Sequence, residues 1–279
     1  MALGSAQVKG KIKNLAKSNK ADARILMRIY MMERFLERVA NSKYKEDFII
    51  KGGILVTSLV GVSMRSTMDI DTSIRNFNLS EEDALRVINE ICDIKLDDGV
   101  TFVIKDISGI MDEMEYPGIR VGIDALLDGM VTPIKLDIST GDAITPRAIE
   151  YHYNLMLENR SICLWSYNLE TIFAEKLQTV LARGILNTRM RDFYDIYTLL
   201  LRYKDEIDND TLKQAFEATC SKRNSMNLKS DGTHIIETVS NDDTIKSLWE
   251  SYRKKYSYAT DIEFKTAIES VSKLYGYLK

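Results

Sequence analysis

Up to Ala40 the hydrophobic positions recur with helical spacing, and Ile25, Leu26, Ile29, Met32, Phe35, Leu36 and Val39 fall on one face. Phe48-Ile49-Ile50 then reads as a short strand ended by Gly52-Gly53, and Ile54–Val60 as a short helix. Met68–Ile74 alternates as a strand does. Ser80, followed by Glu81, Glu82 and Asp83, is a natural N-cap for a helix running to about Ile94. From Val100 to Ser139 alternation dominates: Val121, Ile123, Ala125 and Leu127 form one set, Ile134, Leu136 and Ile138 another. Asp128-Gly129 between them predicts a hairpin turn. Beyond Pro146 a further short strand is expected at Ile162–Trp165. From Asn168 onward the pattern is helical, over 168–183, 190–203, 210–220, 242–256 and 260–278.

This order predicts an α/β (α+β) chain. A lobe with a mixed sheet and N-terminal helices spans 1–165, and an all-helical lobe spans 166–279. Composition agrees: 45% hydrophobic and 28% charged residues describe an ordinary globular protein of 279 residues. Only 3 prolines and 14 glycines argue against disorder and against a turn-rich all-β fold. No apolar run approaches membrane-spanning length, and the N-terminus lacks the apolar stretch of a signal peptide, so no membrane partner and a cytoplasmic location are expected.

Cys92, Cys163 and Cys220 are odd in number and widely spaced, which suits reduced thiols better than disulfides or a zinc site. His152 and His234 are the only histidines, so a histidine triad is disfavoured. Chemistry must rest on carboxylates, lysines, arginines and hydroxyls. A net charge of −3 does not describe a protein that coats nucleic acid, although it leaves room for a local basic groove.

The chemically informative stretch is Lys51-Gly52-Gly53 followed by Arg65-Ser66-Thr67-Met68-Asp69-Ile70-Asp71. Residues two apart on a strand face one side, so Asp69 and Asp71 project together and repel unless a cation lies between them. A hard divalent cation such as Mg2+, with Mn2+ as its substitute, suits such oxygen ligands. Gly-Gly lets backbone N–H groups approach a phosphate closely at a helix start. A solvated strand face beside a simple turn is the plain alternative. Asp137, on the polar side of Ile134–Ile138, is a candidate third carboxylate, and Asp124 in the neighbouring strand is its rival.

Two helices carry a second oddity. Leu169, Ile172, Phe173, Leu177 and Val180 make an apolar stripe that contains Lys176, while Phe193, Ile196, Leu199, Leu200 and Tyr203 make another that contains Asp192 and is bordered by Asp195. Lys176 and Asp192 form either an ion pair docking the two helices or a phosphate-binding group with its orienting acid.

Taken together, these motifs resemble the AbiEii family, the toxins of type IV abortive-infection toxin–antitoxin systems, related to the MenT toxins. The likeness rests on Lys51–Gly53, Arg65–Asp71, Ala174-Glu175-Lys176-Leu177, Arg189-x-Arg191-Asp192-x-x-Asp195 and the tail with Leu248-Trp249 and Tyr252–Tyr258, and it covers roughly 45–275. Ile54 departs from the family, where a small hydroxyl residue is common.

The resemblance implies a DNA-polymerase-β-like nucleotidyltransferase lobe and nucleotidyl transfer from a nucleoside triphosphate, either GTP or a pyrimidine nucleotide. It implies Asp69, Asp71 and Asp137 as metal ligands, with Lys176 and Asp192 completing the catalytic set. Gly52, Gly53, Arg65, Ser66 and Lys176 would contact the nucleotide. The implied acceptor is RNA, the 3′ end of tRNA in the MenT relatives, and an AbiEi-type antitoxin would restrain the toxin without a stable complex in phage defence. Arg253, Lys254 and Lys255 among Tyr252, Tyr256 and Tyr258, with Lys222 and Arg223, are a candidate acceptor platform, and Lys9–Lys20 is the alternative. Rival readings are a small-molecule nucleotidyltransferase of the aminoglycoside-modifying kind and a non-catalytic nucleotide- or RNA-binding regulator.

Overall fold

The Asp22 carboxylate accepts the backbone N–H of Arg24 at 2.8 Å and so starts a helix, separating α1 (Ser5–Asn19) from α2 (Ala23–Ala40). The computed structural model describes residues 3–19, 21–75, 80–110 and 118–279, and Lys20, the end of the basic stretch, lies outside them. On α2 the expected stripe is buried from Leu26 to Val39, with Ile25 at its edge. Phe35 meets Phe102 edge-on at 5.8 Å, which lays the stripe on a β-sheet.

That sheet has seven strands: β1 (Phe48–Lys51), β2 (Asp69–Ile74), β3 (Val100–Ile110), β4 (Gly118–Leu127), β5 (Met130–Thr140), β6 (Ile149–Asn154) and β7 (Ser161–Ser166), in the order β3-β4-β5-β2-β1-β7-β6. β2 runs parallel to β5 and β1 parallel to β7, while the other neighbours are antiparallel, so the sheet is mixed as expected. α3 (Gly52–Val60) follows β1 directly, and α4 (Glu81–Cys92) opens on the Ser80 hydroxyl, which accepts from Asp83 N–H at 3.0 Å.

The hairpin turn is at Asp128-Gly129, both at positive φ, and it sets the register of β4 on β5. Val121, Ile123, Ala125, Leu127, Ile134, Leu136 and Ile138 are all buried on the α2 side. The opposite parity carries the charges: Arg120 and Asp124 on β4, Lys135 and Asp137 on β5, Asp69 and Asp71 on β2.

Residues 1–141 and 149–166 form one compact unit, and 142–148 with 167–279 form a second. The second is helical: α5 (Leu169–Arg183), α6 (Met190–Tyr203), α7 (Asn209–Lys222), α8 (Leu228–Asn241), α9 (Asp243–Lys255) and α10 (Phe264–Gly276). Asn168, Asp208 and Asp242 cap α5, α7 and α9 by accepting backbone N–H groups at 2.7–2.9 Å. Trp249, fully buried, donates its indole N–H to Ile262 O at 3.0 Å, which satisfies its one polar atom. Among the described residues no helix is long and apolar enough to cross a membrane.

Candidate active site

Across the polar face of the sheet the register assembles one row. Lys51 on β1 pairs with Asp71 on β2, Asp71 with Asp137 on β5, and Asp137 with Arg120 on β4. Directly paired residues point to the same side, so the row alternates as cation, two carboxylates, cation. Asp69 stands two residues before Asp71, paired with exposed Lys135 in the next row. Asp124 pairs with Pro133 and forms a salt bridge to Lys105 at 3.5 Å, away from Asp71, so its register sets it apart from the pair that Asp137 joins.

The Gly-Gly turn is built around Asp71. Gly53 N–H donates to Asp71 Oδ2 at 3.0 Å, at the first turn of α3, where the helix leaves N–H groups unpaired. Gly52 has φ +58°, and a Cβ there would lie 2.2 Å from that same Oδ2. A Cβ on Gly53 would come within 2.5 Å of Thr67 Oγ1 and 3.0 Å of Arg65 Nη1. Both glycines are therefore imposed by close approach. Arg65 is buried and donates Nη1–H to Ser66 O at 2.6 Å, and Thr67 Oγ1 donates to Asp69 O at 3.2 Å, so the loop entering β2 is tied down. The N–H group that the sequence suggests for a phosphate is here given to a carboxylate.

Burial raises the pKa of Asp71 above the usual carboxylate range. The Gly53 N–H and Lys51 pull it down, while the charges of Asp137 and Asp69 push it further up. Lys51 Nζ donates to Ser139 Oγ at 2.7 Å. Both oxygens of Asp137 are taken by Arg120, Nε to Oδ1 at 2.8 Å and Nη2 to Oδ2 at 2.7 Å. Among the described residues no three His, Cys, Asp or Glu side chains close around one point. The donor set nonetheless fits a hard divalent cation. Three carboxylates on one face, with no thiol or imidazole among them, form an acidic cluster whose mutual repulsion such an ion relieves.

In the helical unit Lys176 Nζ donates to Asp195 Oδ2 at 2.6 Å and to Asp192 Oδ1 at 3.1 Å. Asp195, fully buried, is the nearer partner, although the stripe suggests only Asp192 as the partner inside it. Arg189 Nε reaches Asp192 Oδ2 at 3.1 Å from the other side. The tail is aromatic as well as basic: Tyr256 and Tyr258 stack at 5.3 Å, and Arg191 donates to the Tyr256 hydroxyl at 3.0 Å. Burial raises the Tyr256 pKa, but Arg191 and Lys255 outweigh it and leave the phenol below its ordinary value. Arg253 is bound to Thr260 O and Glu250, and Arg223 to Gln178 and Glu175, so both are structural struts.

Residues 34–270 match the family described as nucleotidyl transferase AbiEii toxin, type IV TA system. The chain belongs to the AbiEii family. It is accordingly a nucleotidyltransferase and the toxin of a toxin–antitoxin system, with a nucleoside triphosphate as substrate and an antitoxin as partner. No curated protein matches the sequence. In fold it is similar to a structure from H. pylori assigned as a nucleotidyltransferase, at 18% identity and TM-score 0.54, covering 92% of this chain and 97% of that one. The JHP933 structure from Helicobacter pylori is similar at 16% identity and TM-score 0.54, covering 92% and 94%.

Within this AbiEii chain Ile54 is fully buried, so the departure from a small hydroxyl residue serves the core beneath α3. Ser58 is hydrogen-bonded to the Tyr151 hydroxyl at 2.8 Å, and Ser63 is exposed. Arg120 is the site residue that sequence reasoning missed. The signal was present: counting back equally from each side of the Asp128-Gly129 turn pairs Arg120 with Asp137.

Proposed function

We propose that this AbiEii toxin transfers a nucleotidyl group from GTP or a pyrimidine nucleoside triphosphate to RNA, with the 3′ end of tRNA as acceptor and arrest of growth during phage infection as the outcome. Asp69, Asp71 and Asp137 would hold two Mg2+ ions, with Mn2+ as substitute, which when bound neutralise the triphosphate and lower the pKa of the attacking hydroxyl. The chain's own residues do the positioning. The Gly52-Gly53 turn fixes Asp71 from its backbone side, and Arg65 holds the loop that presents Ser66 to phosphate or to the acceptor terminus. Lys176 grips the β- and γ-phosphates, oriented by Asp192 and, from the other oxygen, by Asp195. Catalysis of this kind is mostly orientation and electrostatics.

The observation that carries the reading is the side-by-side register of Asp71 and Asp137 on neighbouring parallel strands, with Asp69 on the same face. An AbiEi-type antitoxin would restrain the toxin without a stable complex. Incubation with labelled nucleoside triphosphates, Mg2+ and total RNA tests the proposal. Label should enter RNA with release of pyrophosphate, and Asp69→Ala or Asp71→Ala should abolish both. Label on an aminoglycoside and none on RNA would assign the enzyme to small-molecule modification instead.

A further inference from the structure

Asp137 is buried, with its side chain 7% exposed, while Arg120 opposite it is 32% exposed. The guanidinium binds both carboxylate oxygens in a planar, two-bond fork, so a cation that takes both oxygens from that side must displace Arg120. A divalent ion and a guanidinium repel one another and compete for the same two atoms. The carboxylates of Asp71 and Asp137 repel one another across the paired strands, and the row provides a cation on each flank, Lys51 and Arg120. Lys51 is buried and anchored on Ser139, whereas Arg120 lies at the exposed side of the pair. Of the two, Arg120 is the one with solvent to move into.

We propose that Arg120 is a displaceable counter-ion of Asp137: it neutralises that carboxylate until a divalent cation takes its place, and it thereby sets the cation affinity of the site. This rests on Asp137 being a metal carboxylate, as proposed above. Exchange of one cation for another keeps the paired acids compensated throughout, so the site never holds two bare carboxylates. A permanent strut between β4 and β5 would look similar at rest but would keep its fork when the cation binds, so it would act on cation affinity only through its charge, which Arg120→Lys retains.

Mn2+ binding to the purified full chain without nucleotide, followed by the signal of unbound Mn2+ in electron paramagnetic resonance, separates these cases. Arg120→Met should bind Mn2+ tighter than the unaltered chain by about fivefold or more, the low end of ordinary coupling between two bound groups. Arg120→Lys, which keeps the charge but loses the fork, should fall between them, and it also serves if the Met variant fails to fold by thermal melt. Asp137→Asn should weaken Mn2+ binding. If Asp137→Asn weakens binding but Arg120→Lys does not tighten it, Arg120 is a strut and the counter-ion proposal fails while the metal site stands. If Asp137→Asn leaves Mn2+ affinity unchanged, the metal reading of Asp137 fails and this proposal with it.

Discussion

The backbone N–H of Gly53 donates to Oδ2 of Asp71 at 3.0 Å, so the helix start and the strand carboxylate are placed by one bond. Gly52, at φ +58°, has no room for a Cβ against that oxygen. Gly52→Ala therefore forces Asp71 to turn and adds left-handed strain of about 1–2 kcal/mol. Nucleotidyl transfer should fall by roughly 100-fold or more, because a shift of about 1 Å in a positioned group is enough for that. Asp71→Asn keeps the acceptor for Gly53 and removes a buried, repelled charge, so it should lose activity without a fall in melting temperature. Activity assays beside thermal melts check both, and an active Asp71→Asn would remove Asp71 from the metal site.

Lys176 is held by two acids on successive turns of α6, one of them wholly buried. Lys176→Met fills the apolar stripe but leaves Asp192 and Asp195 without their shared cation. Removing one partner of a buried ion pair costs about 3–5 kcal/mol, so this variant should melt well below the unaltered protein. Adding Asp195→Asn to it should recover part of the loss, as should lowering the pH, since a buried carboxylate that has lost a cation can then take a proton. Full stability of Lys176→Met would show that the cation serves a ligand and not the helix pair.

Much of this site is legible in the sequence because strand parity is a local property: Asp69, Asp71 and Asp137 share a face once their neighbours are known to alternate. The pairing of Asp71 with Asp137 is not local. It depends on β5 inserting beside β2, a parallel contact that spans a hairpin and that no short-range pattern encodes. β6 escapes notice because it is an edge strand in which only Tyr153 is buried, so Ile149–Asn154 shows little apolar alternation. α8 escapes singling out because Ser230, Asp231, Gly232 and Thr233 are poor helix formers, held helical by the burial of Leu228, Ile236 and Val239.

Glu33 provides a pH test of the sheet unit. It is buried on α2, and both its oxygens accept the Met156 N–H, at 2.9 and 3.2 Å. Burial raises its pKa from 4.5 to about 8; the Met156 N–H and Arg34 oppose the rise, and Glu158 and Glu37 add to it. A raised acid binds its proton more tightly when folded, so its contribution is complete below pH 4.5 and is lost as pH climbs towards about 8. Glu33→Gln has no proton to lose. Its melting temperature relative to the unaltered protein should rise by roughly 5 °C or more between pH 5 and pH 9. A gap that does not change with pH would mean that Glu33 is ionised in the folded chain.

The acceptor end of the reaction can be probed on the tail. Arg253 and Arg223 are bonded into the fold, so their substitution would report on stability before it reported on RNA. Lys254 and Lys255 are exposed, and Arg191 with Tyr256 forms a cationic, aromatic edge beside them. Basic side chains displace counterions from a phosphate backbone, and a tyrosine face can stack on an unpaired base. Lys254→Glu with Lys255→Glu should lower the rate of RNA labelling at low salt and make its dependence on salt shallower, because fewer phosphate contacts release fewer counterions. Tyr256→Ala should lower the rate by about 5- to 100-fold, the loss expected for one stacked base, with little change in the salt slope. Nucleotide affinity should be unaltered in both variants, which separates an acceptor defect from a damaged triphosphate site. Equal labelling rates for all variants across a salt titration would place the acceptor elsewhere, with the basic face of α1 as the next surface to alter.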